Sequence, residues 1–307
     1  MKNPTPSPFS QFLHYSRPWY LLEGILFYAL GVGIVHYLGH SINWTTYVLG
    51  QACVTMLQLS SYYLTVYYDR LFPTDPELTK RNSTKDADDE SAKILPRPVF
   101  QLTSLTTLTV GAVMTVLLLS NKAINVQGML ILGIAFFLAF FYAVPPLRLV
   151  YSGYGELSHA IFIANLVPAF AFLLQTGDLH RLLPMLTFPL TALYLAMSLA
   201  LSLKEYAEDL KNERKTLLVR LGWPRGMVLH NILIVVTYVL VVLAFVSGLT
   251  WGLTWPALLT LPLAGFQIWQ FIQINAGAKP HWGLLSLTAI GTLLLTAYLI
   301  TFTLWTS

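Results

Sequence analysis

Nine times along this chain about 20 residues pass with at most one charge among them. At 1.5 Å per residue, a helix of that length crosses the roughly 30 Å hydrocarbon core of a bilayer. Inside lipid every backbone N–H and C=O has to be satisfied, and a helix does this within its own segment. The runs lie approximately at 18–38, 44–68, 100–120, 124–145, 156–176, 183–204, 226–247, 252–273 and 282–305. The expectation is an all-α polytopic membrane protein of about nine transmembrane helices in a single bundle, with residues 1–307 as one domain. Only 10% of residues are charged and the mean hydropathy is +0.62, whereas about a quarter are charged in soluble domains.

The few charges are unevenly placed. Two polar segments, about 69–99 and 204–225, interrupt the apolar pattern, and the stretches Asp69 to Arg97 and Lys204 to Arg220 hold eleven of the fourteen Asp and Glu residues. With the N-terminus cytoplasmic, sixteen of the eighteen Lys and Arg fall on the cytoplasmic side, leaving Lys122 and Arg181 opposite; this is the positive-inside pattern. A net charge of +4 is thereby explained by topology, and no nucleic-acid partner is expected. The second and sixth spans then run in the same direction and bring Asp69 and Glu205 to one membrane face. The sole cysteine, Cys53, excludes a disulfide framework and a Cys-rich metal site. The first 16 residues lack the layout of a cleaved signal peptide.

Each acid cluster has a helical logic. Ser61, Thr65 and Asp69 recur every fourth residue and share a face, which in a membrane turns towards the bundle or a wet cavity. Pro73, Asp75, Pro76 and Glu77 follow, then Lys80, Arg81 and Lys85. The run Lys85 to Glu90 reads as a solvated loop surface, and Asp69 and Asp75, nearer the membrane, are the better ligands. In the second segment Glu205, Asp209 and Glu213 are spaced by four, so one helical face is expected to carry three acids. Their mutual repulsion costs a few tenths of a kcal/mol per exposed pair; neighbouring Lys204, Lys211, Arg214 and Lys215 screen it, or a bound cation uses it. Mg²⁺ is held by one or two carboxylates plus phosphate and water, so two opposed acidic helix ends with interleaved bases suit a Mg²⁺-bridged diphosphate.

Other positions admit two readings. Arg17-Pro18-Trp19 is an interfacial anchor or part of an anion pocket; Glu23, inside a span, has either a structural partner or a function. The turn Pro145 to Glu156 stops one helix and starts the next, and places Arg148, Tyr151 and Glu156 on the side of both acid clusters. Seven histidines, His159 among them, show no metal-ligand spacing apart from His36 and His40, which read as a loop feature. Gly31 and Gly33 are expected to permit close helix packing.

The order of these features resembles the UbiA superfamily of intramembrane prenyltransferases. The closest likeness is to the branch that prenylates dihydroxynaphthoate in menaquinone synthesis. It rests on Pro145-Pro146-Leu147-Arg148-Leu149 with Tyr151, Gly153, Gly155 and Glu156, on Lys215-Thr216-Leu217-Leu218-Val219-Arg220-Leu221-Gly222, on Tyr67-Tyr68-Asp69 followed by Asp75, and on Arg17-Pro18-Trp19. Departures stand at Ser61, Thr65, Val66, Leu201, Ser202, Glu205, Glu213 and Ser152. The resemblance implies a bundle around a central cavity, Mg²⁺ on Asp69, Asp75, Glu205 and Asp209 as metal-binding and catalytic acids, and transfer of a prenyl group from a polyprenyl diphosphate to a lipophilic aromatic acceptor in quinone biosynthesis. Substrate contacts then fall to Ser61, Thr65, Tyr68, Lys85, Arg97, Arg148, Tyr151, Glu156, Lys204 and Arg214, with Arg214 foremost for the diphosphate and Glu156 a possible base. Two alternatives stand beside it: a related transferase with a tetrapyrrole, phenolic or glycerol-type acceptor, and a non-catalytic lipid-binding subunit that kept the fold. The charges gather at one face and not at mid-membrane, unlike a transporter's coupling site. The expected location is the cell inner or plasma membrane, with the site's mouth cytoplasmic.

Overall fold

A computed structural model describes residues 18–71 and 96–307, the side chains of Trp19 and Arg70 excepted. The described residues form nine long helices: α1 (Pro18–Tyr37), α2 (Trp44–Leu71), α3 (Arg97–Ser120), α4 (Val126–Ala143), α5 (Gly155–Thr176), α6 (Leu182–Lys211), α7 (Trp223–Val246), α8 (Trp251–Asn275) and α9 (Trp282–Thr306). A 3₁₀ turn, Leu149–Tyr151, joins α4 to α5, and a single helical turn, Leu217–Leu221, precedes α7. Eight of the nine are long and apolar enough to cross a membrane. The ninth, α2, has the length, at 28 residues, but carries Gln51, Gln58, Ser60, Ser61 and Thr65. Several of these groups turn inward. Gln58 and Ser60 are buried; the Ser60 and Ser104 hydroxyls meet at 3.0 Å across α2 and α3, and Gln58 donates to the Tyr20 carbonyl at 3.3 Å. A polar helix is admissible in a bundle when its polar atoms find partners there.

Burial separates the centre from the periphery. About two thirds of α5 and 61% of α6 are buried, against 17% of α3 and 22% of α4, so α5 and α6 form the axis while α3 and α4 turn Leu102, Val116, Leu130 and Phe137 outward. Such a surface is matched to lipid tails, in which apolar side chains lose nothing by exposure. The helix α1 packs on α5 and α9, and glycine sets its approach. A Cβ at Gly31 would collide with the Pro168 carbonyl, and one at Gly33 would lie 2.9 Å from Trp305 Nε1. His36 stacks on Trp305 and sits 3.3 Å from the Leu304 carbonyl, a packing role in place of a metal one.

Inside α5 the residues Phe162–Leu166 form a π turn. Pro168 brings no N–H to the ladder and its ring displaces the carbonyl four residues back, and the widened turn absorbs that defect. Asn165 on the widened turn bonds to Thr187 and Thr191 of α6, tying the two axial helices together.

Candidate active site

Between the axial helices and α1, α2 and α4 lies a cavity of about 460 Å³. Each wall follows from helical periodicity. On α6 the lining residues are Tyr194, Met197, Ser198, Leu201, Ser202, Glu205, Glu208 and Asp209, spaced by three and four and therefore on one stripe. On α2 they are Tyr62, Thr65 and Asp69, and on α5 Gly155, Glu156 and His159. Moving along α6 from Asp209 to Tyr194 covers about 22 Å at 1.5 Å per residue. Over that length the lining changes from carboxylates through serines to aromatic rings.

The charged end is assembled by the two turns. Arg148 Nη2 meets Asp69 Oδ1 at 2.6 Å, and the Tyr151 hydroxyl donates to Asp69 Oδ2 at 3.1 Å. Across the cavity Arg214 Nη1 lies 3.5 Å from Asp209 Oδ1. The Tyr151 ring stands between the two arginines, 4.8 Å from the Arg148 guanidinium carbon and 5.4 Å from that of Arg214, within cation–π range. Burial, reinforced by the Asp69 carboxylate, pushes the Tyr151 phenol well above its ordinary pKa, so it remains a hydrogen-bond donor. Burial opposes the charge on Arg214, but the Asp209 and Asp69 carboxylates outweigh it and hold the guanidinium charged. Both Glu156 carboxylate oxygens accept the Leu217 N–H, at 3.1 and 3.2 Å. With the Thr216 hydroxyl, which accepts from Val219 N–H, Glu156 caps the Leu217–Leu221 turn.

The residues expected at the site divide into three groups. Asp69, Thr65, Tyr151, Glu156, Glu205, Asp209 and Arg214 line the one cavity, and Arg148 joins through Asp69. Ser61 lies one turn deeper on α2, where its carbonyl accepts the Thr65 hydroxyl. Tyr68 packs against Leu64, Ala143 and Val144, while Arg97 and Lys204 are exposed; none of these three lines the cavity. Asp75, Lys85 and Arg17 lie outside the described residues. Glu213 does not continue the acidic face: α6 ends at Lys211, and Glu213 turns away at φ 53°. Glu208 takes the third place on the wall instead.

At the aromatic end, sequence reading reaches Tyr62 as a ring that could face an allylic cation but passes over Tyr142, His159 and Tyr194. His159 is surrounded by the rings of Tyr142 at 5.6 Å, Tyr194 at 5.8 Å and Tyr62 at 6.3 Å. Buried Glu23 of α1 accepts the Tyr194 hydroxyl, which gives that carboxyl a structural partner. The signal that finds these residues is spacing: His159 stands three residues after Glu156, and Tyr194 eleven before Glu205, both in phase with the acids.

The donor set fits a hard divalent cation of the Mg²⁺ kind. Asp69, Glu205, Glu208 and Asp209 present only carboxylate oxygens to the cavity. Among the described residues no three acidic, His or Cys groups converge closely enough to hold an ion alone. Mg²⁺ ordinarily takes one or two carboxylates and completes its octahedron with phosphate oxygens and water.

Comparison with known proteins agrees with this architecture. A UbiA homologue from Archaeoglobus fulgidus bound to GPP and Mg²⁺ superposes with a TM-score of 0.64, covering 97% of this chain and 100% of the other at 18% identity. The same protein bound to Cd²⁺ gives 0.63 at 17% identity, covering 95% and 99% of the two chains; at such identities the likeness shows the fold. A Bacillus subtilis 1,4-dihydroxy-2-naphthoate octaprenyltransferase is 24% identical over 136 residues, 44% of each chain. Thus the aligned stretch spans less than half of that relative. Residues 25–280 match the UbiA prenyltransferase family, and with five sixths of its length so matched the chain belongs to that family.

Proposed function

We propose that this protein transfers a prenyl group from a polyprenyl diphosphate to a lipophilic aromatic acceptor of the dihydroxynaphthoate kind, with Mg²⁺ at the diphosphate. The observation that carries the reading is the meeting of Asp69 and Asp209, from separate helix ends, on one cavity whose other end is aromatic. Asp69, Glu205 and Asp209, with Asp75 and Glu208 as further carboxylates, are the groups that would hold the ion. An ion held by these carboxylates would supply positive charge to a leaving diphosphate. Arg214 and Arg148, now paired with carboxylates, have donors for the diphosphate oxygens, and Tyr151 keeps the two guanidinium groups apart. As the carbon–oxygen bond breaks, charge builds on those oxygens, where fixed cations are worth most. The tyrosine faces beyond stabilise an allylic cation and exclude the water that would quench it. The positive-inside pattern supports a cytoplasmic mouth in a bilayer-embedded enzyme.

Incubation in detergent with Mg²⁺, a panel of prenyl diphosphates and dihydroxynaphthoate beside other aromatic acceptors, read by mass spectrometry, tests this. A prenylated product that disappears in Asp69→Ala is expected. Diphosphate release with no prenylated acceptor would reject the acceptor class, and folded protein without turnover would favour a lipid-binding subunit.

A further inference from the structure

The acid end of the cavity accounts for the donor, but prenyl transfer also requires a group to take up the acceptor's proton. The carboxylates that line the cavity, Asp69, Glu156, Glu205, Glu208 and Asp209, lie at its charged end, where the ion and the diphosphate would be held. Asp69 and Asp209 are bound to arginines, and both oxygens of Glu156 are engaged by the Leu217 N–H. Glu23 stands behind Tyr194, to whose hydroxyl it is bonded, and does not line the cavity.

His159 lies instead at the aromatic end of the cavity. It lies three residues beyond Glu156 on the same face of α5, about 4.5 Å deeper. It is half-buried and lines the cavity, and among the described lining residues it is the one imidazole. The rings of Tyr62 from α2, Tyr142 from α4 and Tyr194 from α6 pack on it with centroids within 6.3 Å, Tyr20 of α1 lies 6.2 Å from Tyr62, and all of them line the cavity, which gives an acceptor ring aromatic walls. Aromatic walls bind aromatic ligands by offset and edge contacts at these spacings. An imidazole at such a wall offers a base one helical turn from the place where the diphosphate departs.

Building on the proposed transferase reading, we infer that His159 is the general base for the acceptor, taking the proton of its ring hydroxyl. The prenyl C1–oxygen bond breaks and the diphosphate leaves with its bonding pair, giving the allylic cation. The hydroxyl proton moves to the imidazole, and the electron pair so freed, delocalised into the ring, forms the carbon–carbon bond to C1. The ring becomes aromatic again by losing the substituent at the alkylated carbon, as a proton to water or as carbon dioxide. The ring oxygen then takes its proton back from the imidazolium. The titratable groups packed on His159 are Tyr62 of α2, Tyr142 of α4 and Tyr194 of α6, with Tyr20 of α1 beyond Tyr62 and Glu23 of α1 behind Tyr194. The carboxylates Asp69, Glu156, Glu205, Glu208 and Asp209 and the cations Arg148 and Arg214 lie at the other end.

The test separates this inference from the transferase reading by measuring acceptor ionisation without donor. Dihydroxynaphthoate bound to wild-type protein is expected to show the red-shifted near-ultraviolet absorbance of the ionised hydroxyl at a pH where the free compound does not. His159→Gln keeps size and polarity without the base, and is expected to bind the compound without that shift. With donor and Mg²⁺ present, kcat/KM for the acceptor is expected to fall about 100-fold, with the acid limb of the wild-type pH profile abolished. The thermal shift caused by donor and Mg²⁺ should be retained, which controls for folding. An unshifted spectrum in the wild type, or a His159→Gln profile matching the wild type, overturns the inference. Ionisation of the acceptor with no prenylated product would leave His159 standing and reject the transferase reading.

Discussion

Glu213 lies two residues past the end of α6, at φ 53°. That left-handed region costs an ordinary L-residue about 1–2 kcal/mol, yet the turn it makes is needed. It lets the Arg214 N–H bond back to the Asp209 carbonyl at 2.9 Å, as helix termini commonly do, and so brings the Arg214 guanidinium over the Asp209 carboxylate. Arg148, at φ 38°, makes the corresponding bend on the Asp69 side. Two of the three described non-glycine residues with positive φ therefore aim cations at the site, a common location for backbone strain. The Glu213 side chain is exposed, so its loss forfeits no packing. Glu213→Gly is expected to raise stability by about 0.5–1 kcal/mol, after the entropy glycine adds to the unfolded chain, and to leave turnover unchanged. Thermal unfolding in detergent checks this, and a lower melting temperature would show that the carboxylate contributes more than the backbone loses. The spacing of Glu205, Asp209 and Glu213 could not reveal this turn, because four-residue arithmetic continues past a helix end.

At the level of elements, glycines in the bundle differ in what surrounds them. Gly31 of α1 lies against the backbone of Pro168, beside the π turn of α5, whereas a Cβ at Gly133 on the lipid-facing α4 would meet nothing within 4 Å. Gly31→Ala must push α1 away from α5 and is expected to cost about 1–3 kcal/mol, with loss of turnover, since α1 carries Tyr20 to the cavity. Gly133→Ala should gain up to about 1 kcal/mol from helix propensity alone. Comparing the two melting temperatures tests whether α1 is held by backbone contact; equal effects would refute it. The small-residue pair Gly31 and Gly33 was legible as packing because membrane helices approach through such residues. The π turn was not, since one proline within an apolar run marks a defect without saying how the ladder absorbs it. Nor was the function of α2 as a wall fully legible: Ser61, Thr65 and Asp69 share a face, but which of them reaches the cavity depends on how α2 is rotated against α3.

Across the whole molecule, Asp69 and the acids of α6 meet on one cavity because α2 and α6 run in the same direction, and the distribution of Lys and Arg contained that fact. The deep aromatic end was legible only in Tyr62, because tyrosines near a membrane boundary resemble an interfacial belt, and only packing distinguishes an inward ring such as Tyr142 or Tyr194 from an outward one. The meeting has a thermodynamic consequence. With no three described ligating groups converging and with Asp69 and Asp209 already paired to arginines, Mg²⁺ alone has an incomplete shell to enter. Prenyl diphosphate alone brings its negative charge to a wall of carboxylates. Each ligand supplies what the other lacks, so their binding should be strongly cooperative. Saturation at a hundred times Kd stabilises a fold by about 2.7 kcal/mol, which for a chain of this size is a rise of roughly 4 °C in Tm. We expect that rise with Mg²⁺ and donor together, a small fraction of it with either alone, and its removal by a chelator. Asp209→Asn should diminish the joint shift while the ligand-free Tm stays close to wild type, because the amide keeps the shape beside Arg214. A full shift from Mg²⁺ without donor would mean that the protein completes the ion's shell unaided, and simply additive shifts would mean that metal and diphosphate occupy separate places.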